Sequence, residues 1–267
     1  MTMVCHRLDR QVDALETTYA AVASGVLIIP QHSLTRVQEF KEHFAGSWDT
    51  FKPAPELDWS AMKAAHAALS RAAYDQCVVI LPPSSGQSTL PIPPSAHVLL
   101  LTPALQRSNA AVDDETDGVL RTTDGALRNT SGPAFQSLTN ALQSAKAVVL
   151  APDETVVAAF ERASAHEETF DVVVVALRNA LEHGGWQLQR FREVSELIAA
   201  PASVIHNARL IVLSTGTPYD LAEAAQIAPS ATRVATFEYT RDGLAAGVRV
   251  LRGDVGAKGT ATVPVAI

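Results

Sequence analysis

Short runs of Val, Ile and Leu alternate with Ala-rich stretches whose apolar positions recur every three or four residues. The runs are Gly25–Ile29, Cys77–Leu81, His97–Leu101, Ala147–Leu150, Asp171–Val175, Leu210–Leu213 and Gly247–Leu251. Uniformly apolar runs of this length predict strands covered on both faces, as in a parallel sheet flanked by helices. Between them, Ser60–Tyr74 places Met62, Ala65, Leu69 and Ala72 on one helical face. Pro133–Ser144 does the same with Phe135, Leu138 and Leu142, and Val156–Ala165 and Gln187–Ala200 also carry helical spacing. Strands alternating with helices predict an α/β fold: a doubly wound, mostly parallel, Rossmann-like sheet with helices on both faces.

The pattern divides the chain into an N-terminal α/β region (1–106), a polar loop (107–132) and a Rossmann-like region (133–267), which also read as one continuous domain. Two segments carry loop chemistry. Pro82–Pro94 holds five prolines, which oppose helix and central strand alike. Arg107–Asn129 is polar and carries Asp113, Asp114, Glu115 and Asp117; it lacks the alternating ligands and closing Glu of a calcium loop and reads as a solvated surface. Tyr74–Ile80, Ala96–Thr102 and Ala145–Leu150 are echoed by Phe170–Val175, Ala208–Ser214 and Gly247–Leu251. The echo fits two degenerate halves and fits equally well the monotony of parallel sheets.

Composition narrows the function. The 267 residues are 47% hydrophobic and 18% charged, enough for a sizeable core and incompatible with wholesale disorder. Lys and Arg number 21 against 28 Asp and Glu, a net charge of −7 with no basic block, so nucleic acid is not an expected partner. No apolar run is long enough to span a bilayer, and Met1–Gln11 lacks the apolar core of a secretory signal. Only Cys5 and Cys77 occur, which excludes a disulfide framework and a multi-cysteine zinc site. None of the eight histidines forms a His-x-x-x-His or His-Glu-x-x-His pattern, so no metal is expected. The expected compartment is the cytoplasm, with the mitochondrial matrix as the alternative.

The order of motifs over residues 145–256 carries a resemblance. Asp171–Ala176 runs into Leu177-Arg178-Asn179-Ala180, and the helix Gln187–Ala200 follows. Next comes Ala208-Arg209-Leu210-Ile211-Val212-Leu213-Ser214-Thr215, then Gly247-Val248-Arg249-Val250 and a turn at Arg252–Gly256. This order resembles the short-chain dehydrogenase/reductase family. The resemblance implies NAD or NADP as cofactor, a carbonyl substrate, and a Ser, a Tyr and a Lys as the acid–base apparatus. It also implies subunit pairing through helices 187–200 and 222–241.

The residues depart from that family where chemistry would occur. Ser214 matches the Ser, but Ile227 stands at the Tyr position and Ala231 at the Lys position. Tyr219 and Tyr239 have no Lys one turn later, and no lysine occurs between Lys146 and Lys258. A phenol with an unperturbed pKa near ~10 needs an adjacent cation to exchange protons near neutrality. The glycine-rich turn is missing too: Pro30–Arg36 follows the first apolar run without a glycine, and Gly125 and Gly132 have the spacing but no preceding strand. Pro82–Thr89 has Gln87 where a phosphate loop has its lysine.

The sequence therefore predicts a non-catalytic, short-chain-dehydrogenase-like accessory subunit, a pseudoenzyme without cofactor, in a homo- or hetero-oligomer. One alternative is an NAD(P)-dependent ketoreductase-like enzyme using Ser214, Tyr219 and Arg233 for catalysis and Gly125, Gly132 and Asn179 for cofactor. Another is a small-molecule-binding α/β regulator with a ligand near Thr215–Tyr219 or Pro82–Ser88. Among the remaining residues, Cys77 reads as a buried small hydrophobe, Trp48 and Trp59 as core-edge aromatics, and His183-Gly184-Gly185 as a helix C-cap.

Overall fold

The computed structural model describes residues 8–46, 58–83, 90–104, 132–142 and 145–261. Two compact units emerge. The described part of the first is residues 8–46 and 58–62. It contains α1 (Leu8–Ala23), α2 (Gln31–Phe44) and the start of α3 (Trp59–Cys77). Leu8, Val12, Leu15, Tyr19 and Val22 recur along α1 at alternating spacings of four and three, and all are exposed. The run Gly25–Ile29 is not a strand: it is a turn and coil after α1, with Val26 84% and Ile28 80% exposed. An apolar run without neighbouring strands has nothing to pair with, whatever its β-propensity.

The second unit holds the sheet. Its strands are β1 (Val79–Leu81), β2 (Val98–Pro103), β3 (Ala145–Leu150), β4 (Val172–Leu177), β5 (Arg209–Ser214) and β6 (Thr232–Ala235), in the order β1-β6-β5-β4-β2-β3. Five strands run parallel and β1 lies antiparallel to β6, so the sheet is mixed. The helices are α4 (Pro133–Ala141), α5 (Val156–Arg162), α6 (Trp186–Ala199), α7 (Asp220–Ile227) and α8 (Arg241–Arg252).

Alternation along the strands feeds two cores. Val173, Val175 and Val212 pack with Phe160 of α5, Phe191 and Val194 of α6 and Leu221 of α7. Val172, Val174, Ile211 and Val234 pack with Phe135 and Leu138 of α4 and Leu244 and Val248 of α8. Every residue of β2 and β4 is buried, which explains the unbroken apolar runs Val98–Leu101 and Val172–Leu177. At about 1.5–3 kcal/mol per fully buried Val or Leu side chain, these central strands dominate the driving force.

Gly247–Leu251, expected as a strand, lies inside α8. Thr240 caps its start, accepting the Gly243 N–H at 3.2 Å, and Gly253 ends it in a left-handed conformation. Leu244, Val248 and Leu251 face the core, while Arg241, Asp242 and Arg252 are exposed. The helical period therefore wins over the local β-propensity of Val-Arg-Val. Residues 222–241 likewise do not form one helix: α7 ends at Ile227 and β6 follows. The expected echo between halves fails with these elements, since β1 is antiparallel and the last member is helical.

His183–Gly185 is a short 3-10 turn leading into α6 rather than a helix C-cap. Cys77 is exposed at the end of α3, and Trp59 is exposed at its start; Trp48 lies outside the described residues. No described helix is long and apolar enough to cross a membrane.

Candidate functional site at the strand ends

Parallel strands deliver their C-terminal residues to one edge of the sheet, where loops must turn toward the helices. The connection leaving β4 leads to α6 in one core layer, and the chain next enters a described helix after β2 at α4 in the other.

The turns at this edge are stapled together. Asn179 follows β4 with φ 45°, and its Oδ1 accepts the Thr217 N–H at 3.2 Å. Ser214, wholly buried at the end of β5, donates its hydroxyl to the Thr217 carbonyl at 2.7 Å. Thr215 donates both its N–H and its hydroxyl to the Leu177 carbonyl at 2.9 Å. A Cβ on Gly216 would collide with Asn179 Oδ1, so this close approach requires glycine.

Arg178 is fixed from both sides of its peptide. The Gln187 side chain accepts its N–H and donates to its carbonyl, each at 2.9 Å. Its guanidinium lies 4.0 Å from the centroid of the Tyr239 ring, which meets Phe135 edge-on at 4.8 Å. Burial pushes the Tyr239 phenol above its ordinary pKa, with Arg178 pulling the other way. Asp220, the first residue of α7, is wholly buried and accepts the Ala180 N–H through Oδ1 at 2.9 Å. Burial raises its pKa; hydrogen bonds from the Ala180 and Leu181 backbone oppose that rise, and Glu182 adds to it. Among the described residues, Asp220 Oδ2 has no hydrogen-bond partner.

The structure thus brings Ser214 and Asn179 together through Thr217, with Tyr219, 49% exposed, at the end of the same turn. Arg233 is elsewhere. It pairs with Val212 in register, two positions before the strand end, and donates to the Pro82 carbonyl at 2.8 Å beside β1. It is 1% exposed, and burial lowers its pKa. Gly132 precedes α4 with an ordinary φ of −64°, and Gly125 lies outside the described residues. Sequence reasoning missed Asp220, Gln187 and the Arg178–Tyr239 stack. The only available signal was Pro218-Tyr219-Asp220, an acid in the first turn of a helix.

A concavity of about 580 Å³ opens at the opposite edge, among Pro93, Phe170, Asp171, His206 and Arg209. Asp171 caps the approach to β2 there by accepting the His97 N–H at 2.9 Å. Among the described residues, no three His, Cys, Asp or Glu side chains gather to hold a metal ion.

No protein-family model matches the chain, and no curated relative matches it in sequence. Solved structures do match. One is described as a GCN5-related glucosamine N-acetyltransferase region in a fungal multi-domain GH3 β-N-acetylglucosaminidase: TM-score 0.63, 22% identity, 96% of this chain and 26% of that one. A family 3 β-N-acetylglucosaminidase from Paenibacillus sp. str. FPU-7 gives 0.58, 22%, 98% and 44%. A Listeria innocua β-glucosidase in complex with isofagomine gives 0.53, 14%, 89% and 33%. The chain thus spans less than half of each of these proteins, and at such identities the likeness shows the fold. It overturns the short-chain dehydrogenase/reductase expectation for residues 145–256, together with the accessory-subunit and ketoreductase-like oxidoreductase readings built on it. The physical reason lies in the chain itself. The presumed Gly-Val-Arg-Val strand is helix α8, and Ile227 and Ala231 flank a helix end and a turn rather than sharing a helix. What stands is an α/β fold with a mixed six-stranded sheet and similarity to family 3 glycosidase structures.

Proposed function

We propose that this chain is a glycoside-hydrolase-family-3-type α/β domain that binds an N-acetylamino sugar at the C-terminal edge of its parallel strands. One observation carries the reading. Nearly the whole chain, 96% and 98%, aligns with structures of β-N-acetylglucosaminidases while spanning only 26% and 44% of them. A domain-sized piece of a larger carbohydrate-processing protein fits that pattern. The strand order and the helices in both core layers favour a doubly wound sheet, in which ligands settle at diverging strand ends.

The role is binding and positioning. Glycoside hydrolysis uses two carboxyl groups facing the scissile bond. Asp220 is turned inward onto backbone N–H groups, so it serves the architecture of the edge. The Tyr239 ring, held under the Arg178 guanidinium, places an aromatic group near these turns, and aromatic surfaces suit the apolar face of a sugar.

Calorimetric titration with N-acetylglucosamine, its β-1,4-linked dimer and glucose tests this. Saturable binding of the acetamido sugars at about millimolar affinity, with glucose weaker, supports the reading. Absence of binding by all three overturns it. An acetyltransferase reading is favoured by the description of the fungal structure alone; the other two are described as glycosidases. Acetyl-CoA in the same titration separates the two.

A further inference from the structure

Trp186 and Arg190 stand one helical turn apart on α6, and each is only 7% exposed. Each holds a buried N–H without a partner: Nε1 of Trp186 and Nε of Arg190. Residues spaced i and i+4 share one helix face, with Cβ atoms about 5–6 Å apart. Two buried donors on one helix face both lack an acceptor among the described residues.

The charge of Arg190 narrows what that acceptor is. Its Nη1 donates to Glu193 Oε1 at 2.5 Å, and Glu193 Oε2 accepts the Val156 N–H at 2.9 Å. The cation is already matched by a carboxylate. A second anion would bring uncompensated charge into a buried place, whereas a neutral oxygen would satisfy the donors without it. A carbonyl oxygen has two lone pairs and takes both N–H groups.

Place agrees with chemistry. The first turn of α6 follows the end of β4, and Trp186 shares an apolar cluster with Leu177 there. Leu177 and Ala180 belong to the same apolar cluster as Trp186 and give the surroundings a dry, methyl-accepting character. The turn leading into α6 carries Gly184 and Gly185 with φ 78° and 71°, and a Cβ added to either would meet nothing within 4 Å. That turn borders open space.

We propose that Trp186 Nε1–H and Arg190 Nε–H are the specificity-determining donors for the acetamido carbonyl oxygen of an N-acetylamino sugar. The inference rests on the carbohydrate-binding reading above and assigns it a pair of atoms. Glucose has a hydroxyl in place of the acetamido group and leaves the pair partly unmatched.

Trp186 supplies its own reporter, because the chain has three tryptophans: Trp48, Trp59 and Trp186. In a Trp48→Phe/Trp59→Phe background, N-acetylglucosamine is expected to shift Trp186 emission saturably, with glucose needing about tenfold higher concentration. Trp186→Phe keeps the ring and removes the N–H. Arg190→Lys keeps a cation for Glu193 and removes Nε. By calorimetry each is expected to weaken N-acetylglucosamine binding about five- to tenfold and to narrow its advantage over glucose. If the wild-type chain binds N-acetylglucosamine while Trp186 emission stays unchanged, or while both folded variants bind like wild type, the donors hold a structural water and the inference falls. The carbohydrate-binding reading survives that result. If the wild-type chain binds neither sugar, both fall together. Should either variant fail to fold, the emission titration with Trp186 and Arg190 intact decides.

Discussion

Asn179 reaches across from the end of β4 to hold the backbone of Thr217, beyond the end of β5, from a left-handed conformation few side chains tolerate. Asparagine suits the position because it accepts a hydrogen bond and enters that conformation more readily than most residues. Asn179→Ala loses both properties and is expected to destabilise the fold by about 1–3 kcal/mol. Asn179→Gly restores the backbone freedom alone and is expected to cost less. Urea unfolding of the two variants beside wild type gives the order directly; equal stabilities would show that backbone conformation contributes nothing there.

Gly216 is coupled to that side chain. Gly216→Ala forces its new methyl into Asn179 Oδ1 and is expected to destabilise by about 1–3 kcal/mol. In an Asn179→Gly background the obstacle is gone, so the same substitution is expected to cost less. A double-mutant cycle reads the difference, and strict additivity would refute a direct collision.

Asp220 sets a pH dependence. Its folded pKa is raised above the ordinary 3.8, mainly by burial, so the folded protein holds the proton more tightly than the unfolded chain. Stability from this group is fully present below 3.8 and declines as pH rises through the raised value. Asp220→Asn mimics the protonated acid and lacks this decline. The variant is expected to match wild type in acid and to gain on it as pH increases, reaching about 1 kcal/mol or more near neutrality. Denaturant melts across pH report the gap; a gap that closes with rising pH would contradict the assignment.

Among the described residues, Arg233 carries two unpartnered nitrogens in a nearly sealed position and donates to the Pro82 carbonyl. Replacing such a buried cation with an apolar side chain of similar volume is often neutral or stabilising. Arg233→Met is expected to stay within about 1 kcal/mol of wild type or exceed it. Sugar binding should be unchanged, since the residue sits away from the strand-end turns. Thermal melts and the calorimetric titration check both halves; lost binding at retained stability would move the site toward β1.

The central strands were legible because burial on both faces leaves an unbroken apolar signature, as in Val172–Val175. The peripheral elements were not. Gly247–Leu251 has strand-like residues and becomes helix through caps several residues away, Thr240 and Gly253. β6 hid because it is four residues long with an arginine inside. Gly25–Ile29 has the composition of a strand and no strand beside it. At the edge, Ser214 and Asn179 could be picked out because apolar runs stop at them. Their junction through Thr217, and the meeting of Arg178 with Tyr239, depend on which strands become neighbours, and strand order is not written in local pattern.

Among the described residues, β1 finds its sole strand partner in β6, the last of the six strands. As synthesis proceeds from the N-terminus, the first of the six described strands must wait through the other five before it can dock. Closure of this border of the sheet is therefore a late, long-range event in folding. A nascent chain halted before residue 232 would leave those three residues, and the border they should seal, open to foreign strands.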